Sequence, residues 1–406
     1  MQHKDTILAL SKEYDSFYLY DEAVILQHVR RLKENFPWVE FLYSVKCNPN
    51  QQVINCVFGE GFGADAASLG EVLLAEAVGL KKEKIYYSAP GKTAKEIEGA
   101  LEKAVIIADS LSEVERIQKA AESRGITAQI GLRINPDFSF TGEQGVPSKF
   151  GIDEEQAIEF LTHGNQDNIR VTGIHVHIRS QELQAQALLS YYKKMCDLAE
   201  KFQALCGGLE YVNMGSGMGI DYTKQDQPLD MEALGAAAAQ ATAVFRANYP
   251  DTRIMIEVGR YAVCKSGSYV TKVIDRKVSH GKTYVILKNT LNGFVRPSIA
   301  NMVMRYAADA NPAGCEPMFT ANGAFTFRPL QMHEAEGTEE SVTLVGNLCT
   351  ATDVIAEDIT MPCLTEGDCV VIDHAGGYAA VLSPMQFASQ DRPAELFLTA
   401  EGKVLS

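Results

Sequence analysis

Between residues 40 and 260, short runs of β-branched and aromatic residues alternate with longer stretches whose apolar positions recur every three or four residues. The short runs predict eight strands: Phe41–Val45, Gly61–Asp65, Lys84–Ala89, Val105–Asp109, Ala128–Asn135, Val171–Ile178, Tyr211–Gly217 and Arg253–Gly259. The stretches between most of them predict amphipathic helices, among them Leu69–Gly79, Ala94–Ala104, Ser112–Gly125 and Asp230–Tyr249. Ser110, Ser112 and Asp153 are placed to cap helix starts, and Gly79, Gly125 and Gly164 to end helices. Eight strand–helix repeats over roughly 220 residues predict a (β/α)8 barrel. A doubly wound sheet is the alternative, but the GxGxxG turn that would favour it is missing after the first strand.

After Arg260 the pattern changes. Ser268–Val278, Lys282–Asn289, Ser341–Leu348, Cys369–Ala375 and Ala394–Thr399 read as strands with no long helices between them, which predicts an all-β module. Asn301 to Thr338, rich in Ala, Asn, Gly and Pro, is expected to be a long loop or insertion. The expected division is a barrel domain over residues 22–262, with residues 1–21 and 263–406 forming the β-domain.

With 406 residues the chain is long enough for a large barrel plus a smaller module. The net charge of −15 argues against nucleic acid as a partner, since phosphate-binding surfaces carry excess Lys and Arg. No stretch is apolar enough to span a bilayer, and the charged segment MQHKDTILALSKEYDS does not read as a signal peptide. Nine cysteines without CxxC pairing read as reduced thiols, so a cytoplasmic protein is expected.

Barrel enzymes carry their chemistry at the C-terminal ends of the strands. Here those positions hold Lys46, Asp65, Ser88, Asp109, Arg133, His177, Gly215 to Gly219, and Glu257 to Arg260. A lysine at a strand end, packed on one side and open on the other, suits imine formation. The run Met214-Gly215-Ser216-Gly217-Met218-Gly219 can point several N–H groups at one anion, and Arg260 suits a phosphate. His175 and His177, two apart on a strand, share a face. They read either as a His-x-His metal pair or as one histidine stacked on a planar ligand beside a buried neighbour. The seventh and eighth strands supply no further histidine, so no metal is expected.

These motifs resemble, in order and from about Tyr43 to Leu398, the fold-type III pyridoxal-phosphate-dependent decarboxylases, the group of diaminopimelate and ornithine decarboxylases. Tyr43-Ser44-Val45-Lys46-Cys47-Asn48 resembles the family's Schiff-base lysine segment, and Gly63-Ala64-Asp65 its second-strand motif. His175 to Gln181 is similar to HxHIGSQ with Arg179 in place of a glycine, and Glu257 to Arg260 to EPGR with Val258 in place of proline. Gly346 to Asp353 is similar to the catalytic-cysteine segment, and Gly376-Gly377-Tyr378 to GAY with Gly377 in place of alanine.

The resemblance implies an alanine racemase-like two-domain architecture and pyridoxal 5'-phosphate as cofactor. It implies that Lys46 holds the cofactor, that His177 stacks on its ring, and that Asp65 and Arg133 support the lysine and the phenolic oxygen side. Glu257 would pair with the ring nitrogen, while Ser180, Gly217, Gly219, Gly259, Arg260 and Tyr378 would hold the phosphate. Cys349, supplied by the neighbouring subunit of a homodimer with shared active sites, would protonate the carbanion left after carbon dioxide leaves. Arg296, Thr350 and Asp353 would face the amino-acid substrate.

The departures bear on that substrate. Thr350 stands where diaminopimelate decarboxylases usually have a glutamate that reads the distal amine, and Ala300 where they tend to have a tyrosine. In these places the chain looks more like relatives acting on bulkier, N- or carrier-substituted amino acids in siderophore and antibiotic pathways. The resemblance implies a homodimeric amino-acid α-decarboxylase, diaminopimelate decarboxylase-like or acting on a bulkier substituted amino acid; the competing readings are an amino-acid racemase, a cofactor carrier without catalysis and a metal-dependent hydrolase. Racemases of this plan typically carry Arg, not Glu, at the ring nitrogen.

Overall fold

The computed structural model describes residues 3–307, 315–321, 323–332 and 339–406. Eight parallel strands close on themselves: Val39–Ser44, Gly63–Ala66, Ile85–Tyr87, Val105–Ala108, Ala128–Asn135, Ile169–His175, Tyr211–Asn213 and Arg253–Val258. Ile256 lies beside Phe41 in the pairing of last strand with first, and Ile107 beside Gly131 in the pairing of fourth with fifth. Several strands end earlier than the apolar pattern suggests. The first stops at Ser44, and Val45–Cys47 form a 3-10 turn that carries Lys46 clear of the sheet. The sixth stops at His175 and the seventh at Asn213, because the chain turns there to build the cavity described below.

Side chains alternate across a strand, so every second residue points into the barrel. Leu42, Tyr86, Ile107, Tyr211 and Met255 form a small apolar cluster of their own, separate from the main core. The ring of Tyr211 occupies so much of this space that the neighbouring fifth and sixth strands carry glycines. A Cβ on Gly131 would lie 2.3 Å from the Tyr211 hydroxyl, and one on Gly173 2.3 Å from its ring. The main core lies outside the strands, where helix residues such as Ile25, Val29, Ile117 and Leu188 are buried. Ser110 caps the helix Leu111–Ser123 as expected, whereas Ser112 lies inside it. Asp153 precedes the helix Glu154–His163 without capping it, its carboxylate accepting from Asn135 instead.

The second sheet is built around the long strand Gly267–Ser279, which pairs with Ser16–Asp21, Lys282–Leu287 and Cys369–Ile372. Glu339–Gly346 and Val354–Pro362 extend one edge, and Ala394–Leu398 lies parallel to Ser16–Asp21. Among the described residues two helices depart from the all-β expectation, the short Lys4–Leu10 and a longer one. Val295–Tyr306 is a 12-residue helix, so the expected loop from Asn301 begins with half of a helix. The rest of that stretch contains the strand Phe327–Leu330; residues 308–314, 322 and 333–338 lie outside the described residues.

Candidate active site

Two residues beyond the apolar layer, towards the C-terminal ends of the strands, the inward positions are Ser44, Asp65, Ser88, Asp109, Arg133, His175, Asn213 and Glu257. All eight are polar and all eight are buried. Buried charge is tolerated only when it is paired, and this ring pairs its own members. Asp65 accepts from Ser44 Oγ at 2.8 Å, Ser88 Oγ at 2.6 Å and Lys46 Nζ at 2.6 Å. Arg133 reaches Asp109 Oδ1 and the His177 carbonyl, each at 3.4 Å, and its guanidinium lies 4.4 Å from the centre of the Phe150 ring. Glu257 Oε1 accepts from Asn213 Nδ2 at 2.9 Å. His175 Nε2 lies 3.1 Å from the same oxygen, close enough for an ion pair but without hydrogen-bond alignment.

Electrostatics set the protonation of three of these groups. Burial disfavours the Lys46 ammonium, but Asp65, Tyr378 and Glu257 outweigh it and hold the pKa above the ordinary lysine value. Burial likewise opposes the Glu257 charge, and His175, Lys46 and His177 overcome it, so this carboxyl ionises well below the usual range. For His177 burial wins, helped by Arg133, Lys46 and His175, and the pKa falls to about 4. Its hydrogen bonds agree with a neutral ring. Ser216 N–H donates to Nδ1 at 3.2 Å, which leaves Nε2, 3.3 Å from Ser180 Oγ, to carry the proton.

These groups open on a cavity of about 880 Å³. Lys46, Arg133, His177, Ser180, Gly217, Glu257, Gly259, Arg260 and Tyr378 all line it. Asp65 stands behind Lys46, with none of its surface exposed. Gly219 does not line the cavity with its neighbours, because its N–H is spent on the Glu182 carbonyl at 3.0 Å.

The expected substrate-binding residues lie elsewhere. Arg296 is 1% exposed, its guanidinium against the rings of Tyr222 and Phe325 and donating to Thr320 and Tyr222, so it braces a wall rather than facing the cavity. Asp353 is buried in its own turn, accepting from the Leu291 and Leu348 N–H groups at 3.0 Å and from the Thr290 hydroxyl. Thr350 bonds the Thr352 hydroxyl at 2.9 Å, and Cys349 is exposed; neither lines the cavity of its own chain.

The family model for the pyridoxal binding domain of pyridoxal-dependent decarboxylases matches residues 22–264. The chain belongs to this family. It is 31% identical over 405 residues to the L-glutamyl-[BtrI acyl-carrier protein] decarboxylase of Niallia circulans, covering 96% of this chain and 90% of that protein. It is 29% identical over 391 residues to the diaminopimelate decarboxylase of Archaeoglobus fulgidus, covering 95% and 88%. The crystal structure of the Helicobacter pylori diaminopimelate decarboxylase complexed with L-lysine superposes with a TM-score of 0.79 at 28% identity, covering 96% of this chain and 92% of that one. The protein is therefore a pyridoxal-phosphate-dependent carboxy-lyase of barrel-plus-sheet architecture.

The residues present fit that cofactor. A decarboxylase of this family needs an amine, an anionic partner for the ring nitrogen, and a place where backbone approaches a phosphate. Lys46 and Glu257 supply the first two on one cavity. For the third, Ser216 and Gly217 line the same cavity, and Gly217 has φ +117°, a backbone that favours glycine. Three members of the site carry no motif of their own. Asn213 becomes legible only once the barrel's two-residue step is known, because it sits one step beyond the inward Tyr211, as Ser88, already nominated as a strand end, sits beyond Tyr86. Glu316 lies in the loosely patterned stretch after residue 301 and gives no sequence signal, yet it lines the cavity and pairs with Arg260.

Proposed function

We propose that this decarboxylase removes the α-carboxylate of an amino acid whose distal end is substituted or longer than that of diaminopimelate, and that it works as a homodimer in the cytoplasm. The single observation that carries the chemistry is the meeting of Lys46, His177 and Glu257 on one cavity floor, with Asp65 behind the lysine. Support for the substrate comes from Thr350 and Ala300, which replace the glutamate and tyrosine expected of diaminopimelate enzymes. The carrier-linked glutamyl decarboxylase, at 31% identity over 96% of this chain, points the same way.

When bound, pyridoxal phosphate supplies a cationic ring that accepts the electron pair left behind as carbon dioxide departs. The chain's own residues prepare for that. Glu257, anionic across the working pH range, is suited to accept a ring N–H and keep the ring protonated. His177, neutral, offers an uncharged face that places no second positive charge against the ring. Asp65 anchors Lys46 until an aldehyde competes for the amine. Gly217 and Ser180 are placed to donate to a phosphate, together with the backbone around Gly259.

In this reading residues 22–262 are the cofactor domain, and residues 1–21 and 263–406 form the domain that completes a partner's site. Cys349, exposed and away from its own cavity, would then act as proton donor in the second copy. The test is a panel assay for carbon dioxide with meso-diaminopimelate, ornithine, lysine, arginine and N-acyl diamino acids. Faster turnover of the substituted substrates is expected. A clear preference for meso-diaminopimelate would return the protein to the other relatives' activity, and racemisation without gas release would replace the mechanism.

A further inference from the structure

The segment Cys315–Ala321 sets one ionisable group into the cavity wall, the carboxylate of Glu316. Its Oε2 pairs with Arg260 Nη2, and its side chain is 11% exposed. Among the described residues its Oε1 is buried with no hydrogen-bond partner. Two guanidiniums lie beside this segment, Arg260 lining the cavity and Arg296 buried. Arg260 donates to Tyr222 OH at 2.6 Å and to Thr320 Oγ1 at 3.3 Å, and Arg296 donates to the same two hydroxyls. The segment thus covers one arginine and occupies the other. Glu316 thus sets an acceptor on the cavity wall beside Arg260, where the arginine alone would have offered donors.

A buried carboxylate oxygen without a partner is a costly arrangement that a donor relieves and another carboxylate aggravates. We propose that Glu316 is a specificity-determining residue that reads the distal end of the substrate, favouring an N–H donor, an ammonium or an amide, over a free carboxylate. The assignment rests on the amino-acid decarboxylase reading above and adds to it the chemistry of the group farthest from the α-carbon. Thr350 replaces the usual distal-amine glutamate, so that position offers no carboxylate and the task is open for another.

Calorimetric titration of the holoenzyme with L-glutamine, L-ornithine and L-glutamate tests it. The wild type is expected to bind the amide and the amine at least about tenfold more tightly than the acid, and Glu316→Gln to reduce that ratio about tenfold. Visible absorption of the cofactor should stay unchanged in the variant. Should Glu316→Gln fail to fold, Glu316→Asp keeps a charge for Arg260, withdraws the free oxygen by one methylene, and is expected to lower the ratio in the same direction. An unchanged ratio in the variant, equal binding of the three ligands by the wild type, or binding of none of them overturns the assignment. Preferential binding without carbon dioxide release from any amino acid would sink the decarboxylase reading and leave Glu316 as the distal reader.

Discussion

Lys46 Nζ and Asp65 Oδ2 lie 2.6 Å apart, and Asp65 is also held by Ser44 and Ser88. The lysine therefore waits as a paired ammonium rather than as the free amine that its position at a strand end suggests. Asp65→Asn removes the main charge opposing desolvation, so the amine should deprotonate at lower pH. The pH at which cofactor-free protein forms a yellow imine with added pyridoxal phosphate should fall, and absorbance titration measures it. Lys46→Ala should form no imine and release no carbon dioxide; retained gas release would exclude covalent attachment at Lys46.

Glu257→Gln should lower the rate of carbon dioxide release by a factor of about 100 or more, since an amide cannot keep a ring nitrogen protonated. Asn213→Ala, which strips one hydrogen bond from Glu257, should cost only about tenfold. Steady-state rates on one substrate suffice to compare the two.

The depressed pKa of His177 makes stability depend on pH. In the unfolded chain a histidine gains its proton near pH 6.5, whereas in the fold His177 resists it until about 4. Between those values the unfolded state binds the extra proton, so stability falls as the pH drops from 6.5 towards 4. The loss is about 3 kcal/mol at most, and less after solvent screening of a ring that is 30% exposed. Urea unfolding of cofactor-free His177→Gln at pH 7.5 and 4.5 should show a smaller pH dependence than wild type by part of that amount.

Gly377 packs against Cys47 so closely that a Cβ there would lie 2.6 Å from Cys47 Sγ. Gly377→Ala alone should destabilise the protein by about 1–3 kcal/mol. Combined with Cys47→Ala the penalty should largely vanish, giving a coupling energy that a double-mutant cycle in urea would reveal. Additive losses would mean that the two residues do not share the space.

Much of this site can be read from residue order. The strand ends nominate Lys46, Asp65, Arg133, His177 and Glu257, and the structure gathers all five around one cavity. What the sequence hides has physical causes. A carboxylate that satisfies backbone N–H groups in a tight turn, as Asp353 does, has the same composition as one aimed at a ligand. Arg296 looks available until Tyr222 and Phe325 are seen to enclose it. The helix Val295–Tyr306 is obscured by Pro297, which fits the first turn, where an N–H would have no helical partner, yet reads as a breaker. Glu316 arrives from a stretch without periodicity, so only tertiary structure reveals its neighbour Arg260.

The spacing of the inward layers has a consequence for how this enzyme can diversify. Tyr211 and the glycines that yield to it seal the lower storey, while reactivity is confined to a storey one pleat higher. The selectivity proposed for Glu316 lies in a segment outside the barrel strands, tied to the end of the eighth strand through its pair with Arg260. Under that proposal, new substrates are sampled by exchanging the residue at 316 while the replacement still pairs with Arg260, and the strand-borne acid–base groups keep their places.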